Sequence, residues 1–227
     1  MPNHVTTRCR VAGPAAAVEQ FRQRAFRQEG GETVFDFNAF IPMPAVLPET
    51  QSSTTAERGA ALILLLQGGG VRLLSRSAIR HMREQLNLPK APLVTLARTW
   101  LERNPEYQSE GQKRLSAIAE TGFPSWYEWA CEHWNTKWNA YHVAIEDPEP
   151  LEFRFDTAWD FPLPVFEKIA AEFPELSFWC LCYDEGGNFA GFGAFNPRDR
   201  EPAFALCEAT SALYQSVYGH PEPEDAP

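Results

Sequence analysis

The segment CEHWNTKWNAYHV, residues 131–143, gathers side chains suited to chemistry. Two imidazoles (His133 and His142), the ammonium of Lys137 and the amide of Asn139 are interleaved with Trp134, Trp138 and Tyr141. In an enzyme, His133 or His142 would act as base, Lys137 would hold an anion, and Thr136 or Asn139 would orient the reacting group. No carboxylate partner, nucleophile elbow or metal-ligand pair is identifiable beside them, and the histidines fall at a helix end and in a strand. A structural role accounts for the same residues more simply. Trp134 and Trp138 would fill a helix–sheet junction, Asn135 and Thr136 would satisfy backbone groups where the helix ends, and Lys137 would suit the helix dipole.

Other constellations are weaker. Asp156, Asp160, Asp184 and Glu185 could suggest a metal site, but they lack the regular loop of a calcium hand and read as solvated turn acids. Three glycines, Gly68–Gly70, are followed by no Gly-Lys-Ser/Thr and read as a turn. The five cysteines are odd in number and scattered, with no C-x-x-C pair, which indicates reduced, buried thiols. Cys180 and Cys182 share one face of an expected strand. Neither metal nor cofactor is expected. His4 reads as a structural hydrogen-bonding residue, and Asn3 and His4 are placed to pair with the strand at Trp138–Asn139.

The elements that position these residues follow from periodicity. HVTTRCRV alternates, with Val5, Thr7, Cys9 and Val11 on one face. Gly13 and Pro14 lead into a helix over 14–28, with Val18, Phe21 and Ala25 inward. EGGE stops it, and TVFDFNAF (33–40) reads as a second strand, completing a β-α-β unit. A proline-rich exit precedes a helical block: a helix from Thr55 as cap, another capped by Ser77, then PLVTLARTWLERN, SEGQKRLSAIAETG and the aromatic PSWYEWACEHW. Sheet character returns at KWNAYHVAIED and LEFRFDTAW, where Leu151, Phe153, Phe155 and Thr157 share a face with Trp159. PLPVFEKIAAEFPE is helical, with Phe166, Ile169, Ala170 and Phe173 inward. LSFWCLCYDE is apolar on both faces, as a central or covered strand is. The glycines of FAGFGAF indicate a bulge or a close backbone approach. A last helix runs over 202–219.

In order this is β-α-β, a helical block, then β-β-α-β-β-α. The fold class is α+β: a ferredoxin-like split β-α-β sandwich with a helical insertion. The expected division is 1–48 for the first part of that domain, 49–135 for the insertion, 136–219 for the second part, and 220–227 as a disordered tail.

MPNHV, FDFNAFIPMP, FPSWYEWACEHWNTKWNA, FDTAWDFPLPVFEKIAAEFP and YDEGGNFAGFGAF together resemble the YubB-type ferredoxin-like domain family, small proteins of phages and conjugative plasmids. The resemblance runs over residues 1–195. It implies the ferredoxin-like topology and a mobile-element setting, with no established chemistry. The cysteine spacing separately lacks the usual iron–sulfur runs.

Charge supplies the functional expectation. Of the 227 residues, 1–120 hold 15 Lys+Arg and 11 Asp+Glu, whereas 121–227 hold 5 and 19. So acidic a half is repelled by phosphates and attracted to basic surfaces. No apolar run reaches the ~18 residues of a membrane span, and the N-terminus lacks an apolar signal core. The expectation is a cytoplasmic, non-enzymatic accessory protein of a bacterial host's mobile element. It would bind and inhibit a host defence component, of the anti-CRISPR or another anti-defence type, by acidic nucleic-acid mimicry. Glu146, Asp147, Glu149, Asp156, Asp160, Asp184 and Glu185 are the candidate partner-binding acids. The alternative is nucleic-acid binding through Arg72, Arg76, Arg80 and Arg83, whose spacings of 4, 4 and 3 line one helix face, with Lys113 and Arg114 beside them.

Overall fold

The computed structural model describes residues 3–69, 73–196 and 204–223. It divides into two compact units, Met1–Pro42 with Ala130–Pro227, and Met43–Trp129. These breaks lie at 42/43 and 129/130, where the sequence placed them at 48/49 and 135/136.

The first unit is built on a sheet ordered β4-β5-β1-β6-β7-β8 and antiparallel throughout. Its strands are β1 (His4–Ala12), β4 (Tyr141–Pro148), β5 (Leu151–Ala158), β6 (Ser177–Asp184), β7 (Ala190–Phe195) and β8 (Ala205–Cys207). With α1 (Ala15–Ala25) and α7 (Leu163–Glu172), the four strands β4-β5-β1-β6 make the ferredoxin-like split β-α-β arrangement. β5 lies between β1 and β4, and β1 lies between β5 and β6. β7 and β8 extend the sheet on the β6 side.

The strand expected at 33–40 is not a member of this sheet. The α1 helix stops at Ala25, and Phe26–Glu29 (β2) pairs with Glu32–Phe35 (β3) as a separate hairpin across Gly30–Gly31. Both glycines adopt positive φ, which a side chain would resist. Phe37–Ala39 is a short 3-10 helix, capped by Asp36, whose side chain accepts from the Asn38 amide. The true partner of the first crossover is β4. Helix periodicity had carried α1 through Phe26–Gln28 because local pattern cannot report a hairpin that begins inside it.

One face of the sheet buries Val5, Thr7, Cys9 and Val11 of β1, Leu151, Phe153, Phe155 and Thr157 of β5, and Phe178, Cys180 and Cys182 of β6. Phe21 of α1 and Phe166 of α7 pack onto it, and Phe21 meets Phe153 and Phe178 with ring centroids 6.3 and 5.1 Å apart. Trp159 does not join this face. It turns out of the strand at φ 78° and is 39% exposed. Gly191 in β7 fits under close neighbours: a Cβ there would lie 2.7 Å from the Phe204 ring and 3.0 Å from Cys182 Sγ.

The opposite face is partly covered by α8 (Ser211–Tyr218), where Val217 packs with Tyr183 and Ala190. The last segment is thus the strand β8 followed by this short helix, with Pro202 and Ala203 outside the described residues. The tail expected to be disordered is docked over its first part, since Glu222 accepts from Tyr183 Oη at 3.2 Å and from Ser211 Oγ at 2.7 Å. Residues 224–227 lie outside the described residues.

The second unit contains α2 (Thr54–Leu66), α3 (Arg76–Leu86), α4 (Leu93–Arg103) and α5 (Pro105–Thr121), and α6 (Trp126–Trp134) begins in it. The caps of α2 and α3 are Ser53 and Ser75, not Thr55 and Ser77. Each Ser Oγ accepts from the amide three residues on, at 3.2 and 3.1 Å. Leu62, Leu65, Met82, Leu86, Leu96 and Trp100 form its core.

Candidate functional site

The 131–143 segment is pinned by its polar residues. The indole Nε1–H of Trp134 donates to Ile41 O at 3.0 Å, and the ring is buried. Asn135, at φ 61°, donates its amide to Phe161 O at 3.0 Å, and Thr136 Oγ1 donates to Trp138 O at 2.8 Å. These two bonds tie the loop to itself and to the β5–α7 connection; they do not go to the helix-end carbonyls. Asn139 closes the arrangement across more than a hundred residues. Its Oδ1 accepts from the Phe37 amide at 2.9 Å, and its Nδ2 donates to Asp36 Oδ1 at 2.9 Å. It bridges to the 3-10 helix, a partner the sequence did not indicate.

His4 pairs with Ala158 of β5, and its amide donates to Glu185 Oε1 at 2.8 Å; it does not pair with Trp138–Asn139. Its ring Nδ1 lies 2.7 Å from Tyr141 Oη. The same hydroxyl lies 3.2 Å from Thr157 O, so it is held between the imidazole and the β5 backbone. Partial burial first, and then the Asp156 and Glu185 carboxylates, push the Tyr141 hydroxyl up to about 12; a hydrogen bond from Trp138 works the other way. Beside it, Asp156 accepts from Thr6 Oγ1 at 2.7 Å and meets His142 Nδ1 at 2.9 Å.

Lys137 extends between two indoles. Its Nζ is 4.7 Å from the Trp138 ring centroid and 5.2 Å from that of Trp159. Of the residues an enzyme would use, Asn139 is held by Asp36 and Phe37, and Lys137 lies against the indoles.

The seven candidate acids are spread over both ends of the sheet. At the β4–β5 turn, Glu146 pairs with Arg8 and Arg154 at 3.1 and 3.6 Å, and Asp147 accepts from the Glu149 amide at 2.9 Å. At the other end lie Asp156, Asp160, Asp184 and Glu185. Asp160 accepts from the Phe161 amide at 2.7 Å, and its pKa is raised by burial. Asp184 is 1% exposed and accepts from the amide and side chain of Asn188 at 3.1 and 2.6 Å, so it organises the β6–β7 turn. Among the described residues, no group of three His, Cys, Asp or Glu side chains is arranged to hold a metal ion.

The three thiols Cys9, Cys180 and Cys182 are buried, with Cys9 and Cys180 Sγ 3.6 Å apart, and burial raises the pKa of Cys180 and Cys182. Among the described residues no helix is long and apolar enough to cross a membrane.

In the second unit, Arg76 and Arg80 are exposed on α3 and Arg83 is half-buried, while Arg72 lies outside the described residues. Lys113 pairs with Glu110 at 3.0 Å. An open groove of about 1040 Å³ runs between α2, α4 and α5, with Ile63, Leu66 and Leu101 among its apolar lining and Arg98, Glu102 and Lys113 among its charged lining.

Residues 133–209 match the family described as the ferredoxin-like domain in Api92-like protein. A crystal structure of the protein api92 from Yersinia pseudotuberculosis is similar at a TM-score of 0.44 and 11% identity, over 92% of this chain and 99% of that one. No curated protein matches the chain.

Proposed function

We propose that the chain is a binding protein whose ferredoxin-like unit docks on a basic, nucleic-acid-handling surface of a protein partner. The charge of that unit carries the reading: Met1–Pro42 with Ala130–Pro227 hold 22 Asp+Glu against 10 Lys+Arg, while Met43–Trp129 hold 8 against 10. An excess of this size steers the unit toward cationic grooves and away from phosphates. The resemblance to YubB-type proteins of phages and plasmids supports a cytoplasmic, mobile-element setting in which the partner is a host defence component. Asp147, Glu149 and Glu185 are the acids of the original set best placed to meet a partner without first giving up a buried role, as Asp184 would.

The test is capture from nuclease-treated host lysate, followed by competition with added DNA or RNA. A defence protein that is retained by the chain and released by nucleic acid supports mimicry. A partner that stays bound at saturating nucleic acid overturns it.

A second reading rests on Arg76 and Arg80, exposed one turn apart on α3 with no ion pair among the described residues. Direct, salt-dependent binding of nucleic acid to the purified chain, lost in R76E/R80E, would support that reading.

A further inference from the structure

We propose that Trp138 and Trp159 form a cation-binding cleft, filled in the free chain by its own Lys137, and that a lysine side chain of a basic partner segment takes over this position. The inference rests on the acidic-unit reading above and names the contact through which that unit would anchor.

The geometry is that of an ammonium against two π faces. Lys137 Nζ lies within the reach of both rings, 4.7 and 5.2 Å from their centroids, where the ring quadrupole attracts a cation. Both rings are held by their backbones. Trp159 sits at φ 78°, a left-handed conformation costly for a bulky residue, and its amide donates to Asn3 O at 2.9 Å. Trp138 is fixed through Thr136 Oγ1–H on its carbonyl at 2.8 Å, and its ring meets that of Tyr141 with centroids 6.3 Å apart. Trp134, in the same unit, is 3% exposed, whereas Trp159 is 39% exposed. A strained, outward Trp beside a loop that presents a second indole is poorly explained by core packing alone.

The surroundings select a cation. Asp156 and Glu185 act on Tyr141, whose ring borders Trp138, and Asp160 follows Trp159 directly. Replacing one ammonium by another leaves the charge in the cleft unchanged. The released Lys137 regains its hydration and rotamer freedom, which offsets part of the cost of displacing it. Affinity then comes from the charges flanking the incoming lysine, which meet the acidic unit. A phosphate or carboxylate ligand would be opposed by the same acids.

The experiment uses the full chain and octalysine as the probe. In the free protein, the Lys137 ε-methylene protons should resonate upfield of ordinary lysine because they lie over two indoles. Octalysine should move them back toward the ordinary position. Lys137→Ala vacates the cleft and should bind octalysine about three- to fivefold more tightly than the natural chain. The gain should be lost in K137A/W159A and partly kept in K137A/W159F, which retains a weaker aromatic face. A Lys137 signal unmoved at saturating octalysine overturns the cleft, as does equal octalysine affinity in K137A and K137A/W159A. A DNA-displaced partner bound by a chain whose Lys137 signal stays put would sink the cleft and leave the binding function standing. Displacement of Lys137 by octalysine without any DNA-competed partner would do the reverse.

Discussion

Gly59 of α2 and Gly111 of α5 bring their helices together backbone to backbone. A Cβ on Gly59 would lie 1.8 Å from Tyr107 O, and one on Gly111 would lie 2.3 Å from the Gly59 carbonyl carbon. Neither obstacle is the end of a flexible side chain, so neither can swing aside. Helical glycine costs about 1 kcal/mol relative to alanine in an open helix, and here the close approach reverses that preference. Gly59→Ala and Gly111→Ala should each destabilise the chain by about 3 kcal/mol or more. Gly69→Ala, with its nearest neighbour at 3.6 Å, should cost far less. Urea unfolding of the three variants makes the comparison; equal midpoints would refute the close crossing.

Asn139 should be the most sensitive polar residue of the 131–143 segment. Asn139→Ala removes its bonds to the Phe37 amide and Asp36, for an expected loss of about 2–3 kcal/mol. Asn139→Asp keeps the acceptor but sets a second carboxylate against Asp36, so it should be worse than alanine at pH 7. That excess should fade as the pH falls through the carboxylate range. Thermal unfolding at pH 7 and pH 3.5 measures both effects.

The acids divide between folding and surface roles, and the division is measurable. Asp184→Ala should lower Tm by several degrees, because the buried carboxylate's bonds to the Asn188 amide and side chain, which hold the β6–β7 turn, are lost. D147K/E149K should leave Tm within a degree or two while weakening any basic partner. If D147K/E149K unfolds the protein, the β4–β5 turn carries more structure than its hydrogen bonds indicate.

Tyr141 predicts an alkaline limit. Its folded hydroxyl is pushed up to about 12 from an ordinary 10, so the folded state holds the proton more tightly. Its contribution is complete below pH 10 and is lost as pH rises from 10 toward 12. The group is only partly buried, and solvent screening limits the effect to about 1 kcal/mol. Tyr141→Phe should therefore flatten the decline of the urea midpoint between pH 10 and 12. An unchanged slope would remove Tyr141 as its source.

In β1, β5 and α7, each of which buries one face, the sequence by itself determined the element. The alternation of β1 and β5 and the inward stripe of α7 follow from periods of 2 and 3.6, because burial acts on every second or every third to fourth side chain. The order of those elements was enough for the ferredoxin-like class. Tertiary structure decided what depends on partners distant in the chain. Phe26–Glu29 became a strand only because Glu32–Phe35 turns back on it. Glu222 is held by Tyr183 and Ser211 although its own segment carries no folding signal. Asp184 and Glu185 are adjacent acids, yet one is buried in a turn and the other meets the His4 amide. Trp138 and Trp159 come together around Lys137 because β4 and β5 are neighbours in the sheet. Local pattern reports which face is apolar, but which polar groups share a site depends on hydrogen bonds and strand neighbours that only the closed sheet creates.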